Sequence, residues 1–270
     1  MKTPKLLLCL SDLHCGSVYG LCPPGLKLYH GSKYTLNAGQ EWLWQCWQQM
    51  VKDVLQIAGK HPFAVLFNGD LVEGIHHKST EVISGEWCDH VGAAIGTCWE
   101  IVKHAEKVFV VEGTECHTQT VEAGIGKDFD AEPNPETGLH AWPRLTLDAH
   151  GLRLVAQHHI GTTSRPYLEA GGLSIALACE QLEALRNGEP IPQILISSHR
   201  HRAGVYRGQQ ALSIVTHAWQ KLTRHGRKVV PHGRCLPGFH LIDWRGVSKG
   251  ELPHVHTQTY VAPAARAATL

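Results

Sequence analysis

Apolar residues gather into short continuous runs that alternate with longer stretches of helical period. Lys5 to Leu10 is a compact apolar run that stops at Ser11-Asp12, which predicts a buried strand ending in a polar loop. From Glu41 to Gly59, Trp44, Trp47, Val51, Leu55 and Ala58 recur at three- and four-residue intervals. A helix is expected there, with Gly59 as its stop. Pro62 to Phe67 reads as a second buried strand, ending at Asn68-Gly69-Asp70. Trp87, Val91, Ile95, Cys98 and Val102 share one face of a second helix between Glu86 and Ala105, and Val108 to Val111 is a third strand, ending at Glu112-Gly113. The alternation predicts parallel strands joined by right-handed crossovers, with all three strand ends on one rim of a sheet, where open α/β sheets bind ligands.

Beyond this, residues 118 to 143 read as a long surface loop. Leu145 to Leu147 and Leu152 to Gln157 predict a hairpin around Asp148-Ala149-His150-Gly151. A helix is expected from Gly172 to Arg186, stopping at Asn187-Gly188, followed by a strand over Gln193 to Ser197. Val205 to Arg207, Ala211 to Thr216 and Phe239 to Trp244 read as strands of a second sheet, and Ala262 to Leu270 as a frayed tail. The 270 residues are expected to form one domain, 1–270, with its core motifs in 6–201 and C-terminal strands and tail in 202–270.

Composition adds two points. A content of 43% hydrophobic and 18% charged residues with a formal charge of +1 is that of an ordinary globular protein and argues against a dominant polyanion-binding surface. The run Leu6 to Leu10 is too short to span a membrane and no small-residue cleavage site follows it, so a cytoplasmic protein with no membrane partner is expected. Nine scattered cysteines do not form a disulfide framework and are expected to be reduced. The outlier is 20 histidines, the side chain most often used as a metal ligand. Most are expected at the surface; position at a strand end singles out a few.

Asp12-Leu13-His14 puts a carboxylate and an imidazole one residue apart, just past the first strand, able to turn to one point. The second strand delivers Asp70 behind Gly69, where the lack of a side chain permits close approach. The third delivers Gly113-Thr114-Glu115-Cys116-His117. His158-His159 and Ser198-His199-Arg200-His201 each end a later strand. Any one of these fragments is common as turn or capping chemistry. Their order, each at the end of an apolar run, is what carries information.

In that order the sequence resembles the calcineurin-like metallophosphoesterase family, over about residues 6–201. The resemblance implies an α/β fold, a four-layer α/β/β/α sandwich of two mixed sheets flanked by helices. It also implies two divalent metal ions between the sheet ends, drawn from Mn2+, Fe2+, Zn2+ or Ni2+. Carried over by position, Asp12, His14 and His201 hold the first metal, Asp70 bridges, and His158 and His199 hold the second. His159 competes with His158, because a strand directs neighbours to opposite faces and sequence does not fix the phase. The family's third motif places Asn where Thr114 stands and His directly after it; here His117 comes three residues later. Thr114 or Glu115 is expected to replace the Asn as a ligand, and Glu115 joins the expected set. Ser198 stands in place of a Gly. Thr216-His217-Ala218-Trp219-Gln220 and the basic residues after it look similar to metallophosphatases of phages and prophages. The chemistry implied is hydrolysis of a phosphoester by a hydroxide shared between two cations about 3.5–4 Å apart, attacking phosphorus in line. His117 is the expected catalytic residue, stabilising or protonating the leaving oxygen.

Other clusters have plainer readings. His76-His77-Lys78 is expected to be a solvated loop, and Cys15 and Cys116 to be packing beside the site rather than nucleophiles or ligands. Two of Trp42, Trp44 and Trp47 are expected as core anchors rather than base-stacking platforms. Lys221, Arg224, His225, Arg227, Lys228, His232 and Arg234 form a basic stretch that reads as a solvated face, and is the only support for a nucleic-acid partner. The expected function is therefore a metal-dependent phosphatase or phosphodiesterase acting on a phosphoester substrate. The alternatives are a DNA or RNA nuclease of the same fold, or a non-catalytic metal-binding interaction module, which the altered third motif keeps open.

Overall fold

The structure is a computed structural model that describes residues 4–76, 79–118, 120–161, 169–229 and 236–262. His77, Lys78, His232, Arg234, Cys235 and the tail from Pro263 onward lie outside the described residues.

The first apolar run forms β1 (Leu6–Leu10), followed by α1 (Ala38–Ala58), β2 (Ala64–Asn68), α2 (Trp87–Val102) and β3 (Lys107–Val111). As expected, β1, β2 and β3 are parallel neighbours, with Leu8 opposite Val65 and Val65 opposite Val108. Helix α1 starts earlier than its apolar period because Asn37 caps it. The Asn37 side chain accepts from the Gly39 and Gln40 amides and completes a capping box with Gln40. A short helix α3 (Glu115–Thr118) follows β3, and α4 (Val121–Asp128) occupies part of the stretch 118–143 expected to be a loop. Val121, Ile125 and Phe129, four residues apart, turn one side of that stretch onto the core.

The second half builds β4 (Leu145–Ala149), β5 (Leu152–Ala156), α5 (Glu169–Asn187), β6 (Ile194–Ser197), β7 (Gly204–Arg207) and β8 (Leu212–Val215). These strands form a second mixed sheet in the order β4-β5-β6-β8-β7. The chain then passes through α6 (Arg224–Val229) and returns to the first sheet with β9 (Gly238–Asp243) and β10 (His254–Thr259), giving the order β10-β9-β1-β2-β3. Phe239 to Trp244 thus overlaps a strand of the first sheet, antiparallel to β1, and not one of the second as its position in the chain suggested. A strand's own hydrophobicity does not name its neighbour. The edge strand β10, HVHTQT, has too few apolar residues to signal a strand at all.

Alternation along the strands sorts the core into layers. Leu6, Leu8 and Leu10 face α1 and α2 together with Val65, Phe67, Val108 and Val110. Leu7, Cys9, Leu66, Phe109 and Val111 face Leu154, Ala156, Ile194, Ile196 and Ile214 of the second sheet. On the far side of that sheet Val155 and Leu195 pack on Leu177 of α5. The result is the expected four-layer sandwich of two mixed five-stranded sheets flanked by helices. Among the described residues no helix is long and apolar enough to cross a membrane, and the eight described cysteines are free thiols.

Candidate metal centre

The C-terminal ends of β1, β2, β3 and β6 meet along one rim, and their loops lock together through the backbone. The amides of Asp12, His14 and Cys15 donate to the carbonyls of Gly69, Asp70 and Leu71, each at 3.0 Å, and the Trp219 amide donates to the Asp12 carbonyl at 2.9 Å. These loops adopt unusual backbone conformations. Among the described residues, positive φ outside glycine occurs at Asp12 (50°), His14 (45°), Asp70 (54°), His199 (73°) and His201 (55°), and otherwise only at Asp130 and His150. Strain of this kind persists where the surroundings enforce it, and it clusters at functional sites. Close approach is part of the enforcement. A Cβ on Gly69 would lie 2.5 Å from His158 Nδ1, and one on Gly113 would overlap the Asp70 amide and carboxylate.

Asp12, His14 and His201 offer ligand atoms that converge on one another. His201 Nε2 lies 3.3 Å from Asp12 Oδ1 and 3.1 Å from His14 Nε2. Behind this group His14 Nδ1 faces the buried Glu73 carboxylate at 2.8 Å. The Gln220 amide donates to the same Glu73 oxygen, Oε2, at 2.8 Å. Asp70 lies next to the trio, with Oδ2 3.9 Å from His14 Nε2 and 3.1 Å from His158 Nε2. It therefore stands between the first trio and a second group formed by His158, His159 and His199.

His158 is buried, and its Nδ1 donates to the Asn68 carbonyl at 2.8 Å, which turns Nε2 inward toward Asp70. His159 is exposed at the rim, with Nε2 3.5 Å from the Thr114 hydroxyl. Thr114 is tied to Asp70 twice, by its amide at 2.6 Å and its hydroxyl at 3.2 Å, and that hydroxyl also lies 3.2 Å from His199 Nδ1. A chain of buried hydroxyls supports the floor. Ser11 bridges Asp12 and Thr216, Thr216 meets Ser198 at 2.7 Å, and Asn68 donates to Ser198 at 2.6 Å.

The electrostatics of these groups follow from burial and mutual proximity. Burial alone would raise the Asp12 carboxyl, yet His201 beside it and the charge of His158 hold it below its usual value. Burial likewise opposes ionisation of Asp70 and Glu73, but His158 and His14 respectively win and push both far down. The carboxylates act back on the rings. Burial disfavours charge on His14 and His158, but Glu73 lifts His14 to about 9 and Asp70 lifts His158 to about 10. Three buried carboxylates thus create a field that demands positive charge in their midst.

The donor set fits divalent cations. Asp12 Oδ1 and His158 Nε2 are buried with no hydrogen-bond partner, although each has another ligand atom within 3.3 Å. They aim at shared space rather than at each other. Two atoms bound to one cation at about 2.1 Å, roughly 90–110° apart, lie roughly 3.0–3.4 Å from each other. The contacts of 3.1 and 3.3 Å in the first trio have that spacing.

Of the expected site residues, Asp12, His14, Asp70, His158, His199 and His201 all enter these groups. Glu115 does not: it is exposed at the start of α3, and the backbone turn there gives the Thr114 hydroxyl, not the Glu115 carboxylate, to Asp70 and His199. His117 lies at the edge of the centre, converging with His14 and Asp70, and its Nδ1 donates to the Glu73 carbonyl at 2.8 Å. Burial and the neighbouring His14 charge lower it to about 4. Cys116 is partly buried, and its Sγ converges with ring nitrogens of His76 and His117. Cys15, by contrast, is fully buried against Thr97. Trp47 is a core anchor, whereas Trp42 and Trp44 are partly buried on the same core. In the basic stretch Arg224 pairs with Glu81 at 3.3 Å and Lys221 lies over the Trp42 ring, while Arg227 and Lys228 are exposed.

Sequence reasoning missed the supports: Ser11, Asn68, Glu73, Glu122 and Gln220. Only Gln220 had a signal, as part of the Thr216–Gln220 segment, whose Trp219 and Gln220 brace Asp12 and Glu73.

No family model matches the chain, and no curated protein matches it. Solved structures do. An archaeal phosphodiesterase is similar at 10% identity and a TM-score of 0.44, covering 94% of this chain and 99% of that one. Wild-type Vps29 from Entamoeba histolytica, complexed with Zn2+, is similar at 14% identity and 0.42, covering 94% and 98%. A Streptococcus pneumoniae protein described as a predicted phosphoesterase is similar at 12% identity and 0.34, covering 96% and 100%.

Proposed function

We propose that this protein is a phosphoester hydrolase working with two divalent cations. Asp12, His14 and His201 would hold the first, Asp70 would stand between the two, and His158 and His199, with the Thr114 hydroxyl, would hold the second. The observation that carries this reading is the convergence of Asp12 Oδ1, His14 Nε2 and His201 Nε2 beside the Asp70–His158 pair. When bound, such cations activate water near neutral pH and offset charge on phosphoryl oxygens.

The chain's own residues orient the substrate. His159, which converges with His158 and His199, and His117, which converges with His14 and Asp70, would meet the oxygens of a phosphoryl group at the rim. With Nδ1 bound to the Glu73 carbonyl, His117 presents Nε2 to the substrate. The negative charge of an arriving phosphoryl group favours its protonated form, so that it can donate to the leaving oxygen. A nuclease reading is supported only by the exposed Arg227 and Lys228.

Elemental analysis should be paired with assays across added Mn2+, Fe2+, Zn2+ and Ni2+ on aryl phosphate monoesters, aryl diesters and single-stranded DNA. Hydrolysis that Asp70→Ala abolishes together with metal content is expected. His117→Ala is expected to keep its metal and lose most turnover. Full metal occupancy in Asp70→Ala defeats the bridging role, and failure to hydrolyse any of these substrates with Mn2+ supplied favours a binding module instead.

A further inference from the structure

Beside the centre lies a convergent group of which the proposed hydrolysis uses only His117. His76, Cys116 and His117 each offer a ligand atom within 4.8 Å of the others, and all three are partly exposed. Cys116 and His117 are consecutive in α3, and His76 comes from the loop after β2. The two rings meet edge-on with centroids 4.2 Å apart. A single residue steadies both: the Glu73 carboxylate lies 3.3 Å from His76 Nε2, and the Glu73 carbonyl accepts from His117 Nδ1 at 2.8 Å. Carboxylate and carbonyl partners of this kind fix ring orientation in metal sites.

The donor set differs from that of the main centre. Asp12 and Asp70 bring hard oxygens, whereas this trio brings a soft sulfur and two imidazoles, the ligands that zinc takes with a fourth position open. His117 belongs to both arrangements, since it also converges with His14 and Asp70. Its one available lone pair serves one cation at a time.

We propose that His76, Cys116 and His117 form a separate site for a zinc-class cation, and that filling it inhibits the enzyme by taking His117 away from the substrate. Binding forms a sulfur–metal bond and releases the thiol proton to solvent, with no change of oxidation state. The inhibition rests on the function proposed above; the metal site does not.

The test is titration of the full chain with Co2+, followed by zinc inhibition assays on protein supplied with Mn2+. A thiolate-to-cobalt charge-transfer band is expected in the near ultraviolet, lost in Cys116→Ser and weakened in His76→Gln. The zinc concentration giving half inhibition is expected to rise roughly 10–100-fold in both variants, with Cys116→Ser unchanged in activity when no zinc is added. Absence of the band in the wild type, or its persistence in Cys116→Ser through exposed thiols such as Cys88 and Cys179, overturns the site. A band without zinc inhibition overturns the regulation. A Cys116-dependent band in a protein that hydrolyses nothing supports the site and refutes the hydrolase.

Discussion

His14 and Glu73 are buried partners: the imidazole Nδ1 lies 2.8 Å from the carboxylate Oε2, and neither side chain is more than 4% exposed. The contact holds a His14 proton on Nδ1 and aims Nε2 toward Asp12 and His201, where a cation would displace any proton it carries. Glu73→Gln keeps the shape and removes the charge. Cation affinity is expected to fall about 10–100-fold, with turnover at saturating metal less affected. Competition against a chelator reads this directly, and unchanged affinity would mean that Glu73 has no part in setting the ligand.

Proton release is a second consequence of the same field. His14 is raised to about 9 and His158 to about 10, above the ordinary 6.5, so both rings are charged near pH 7.5 when no metal is bound. A cation needs the lone pair that each proton occupies. Loading is therefore expected to release about two protons at pH 7.5, and affinity to rise with pH until it passes those values. For the metal-free fold the sign is also set. A folded-state pKa above the unfolded one gives stabilisation that is complete below 6.5 and lost as pH rises through about 9 to 10. Calorimetry in two buffers of different ionisation enthalpy counts the protons, and a count of zero refutes the field described here.

Gly69 ties backbone conformation to ligand position. Its φ is +85°, and a Cβ there would lie 2.5 Å from His158 Nδ1. Gly69→Ala is expected to cost about 1–2 kcal/mol from backbone strain alone, and to push the His158 ring off the Asn68 carbonyl. On the proposed two-cation reading metal content should fall from two ions to one, because the added methyl meets His158 and Gly113 and no side chain of the Asp12, His14 and His201 trio. Gly124→Ala, where the added methyl meets nothing within 4 Å, is the matched control. Equal metal content in the two variants would sink the idea.

The first three strands and the rim they form were legible because their apolar runs are continuous and each stops at a polar residue. Asp12, His14, His199 and His201 were legible for a similar reason, since close spacing at a strand end survives in the sequence. What joins remote segments left no local period. Glu73 looks like a loop residue three positions past Asp70, and its meeting with Gln220 crosses 147 residues. The choice of Thr114 over Glu115 depends on how one turn is oriented, and the choice between His158 and His159 on strand phase. The sheet that β9 joins follows from the whole topology and not from its own six residues.

Glu122 provides the last test, because one buried carboxylate holds two of the site's loops. Its Oε1 accepts from the Leu71 amide at 3.0 Å and its Oε2 from the Gly113 amide at 2.6 Å. Leu71 follows Asp70 and Gly113 precedes Thr114, so the positions of both depend on it. Burial raises its pKa to about 7 against the pull of those two amides, with Asp70 adding to the rise. The ordinary value is 4.5, so between 4.5 and 7 the folded chain keeps a proton that the unfolded chain releases, and stability falls as pH rises through that window. By pH 7 the loss attributable to Glu122 is about 3 kcal/mol. Glu122→Gln is uncharged at every pH and does not titrate; its NH2 cannot accept from a backbone amide, a loss that is the same at every pH. With metal removed by chelator, the variant's stability relative to the wild type is expected to rise from pH 5 to pH 7 by an amount of that order. Urea unfolding at pH 5, 6 and 7 measures the difference, in which all other titrations cancel. A difference that stays flat across the three would show that this carboxyl is already ionised at pH 5 and that the two amides outweigh its burial.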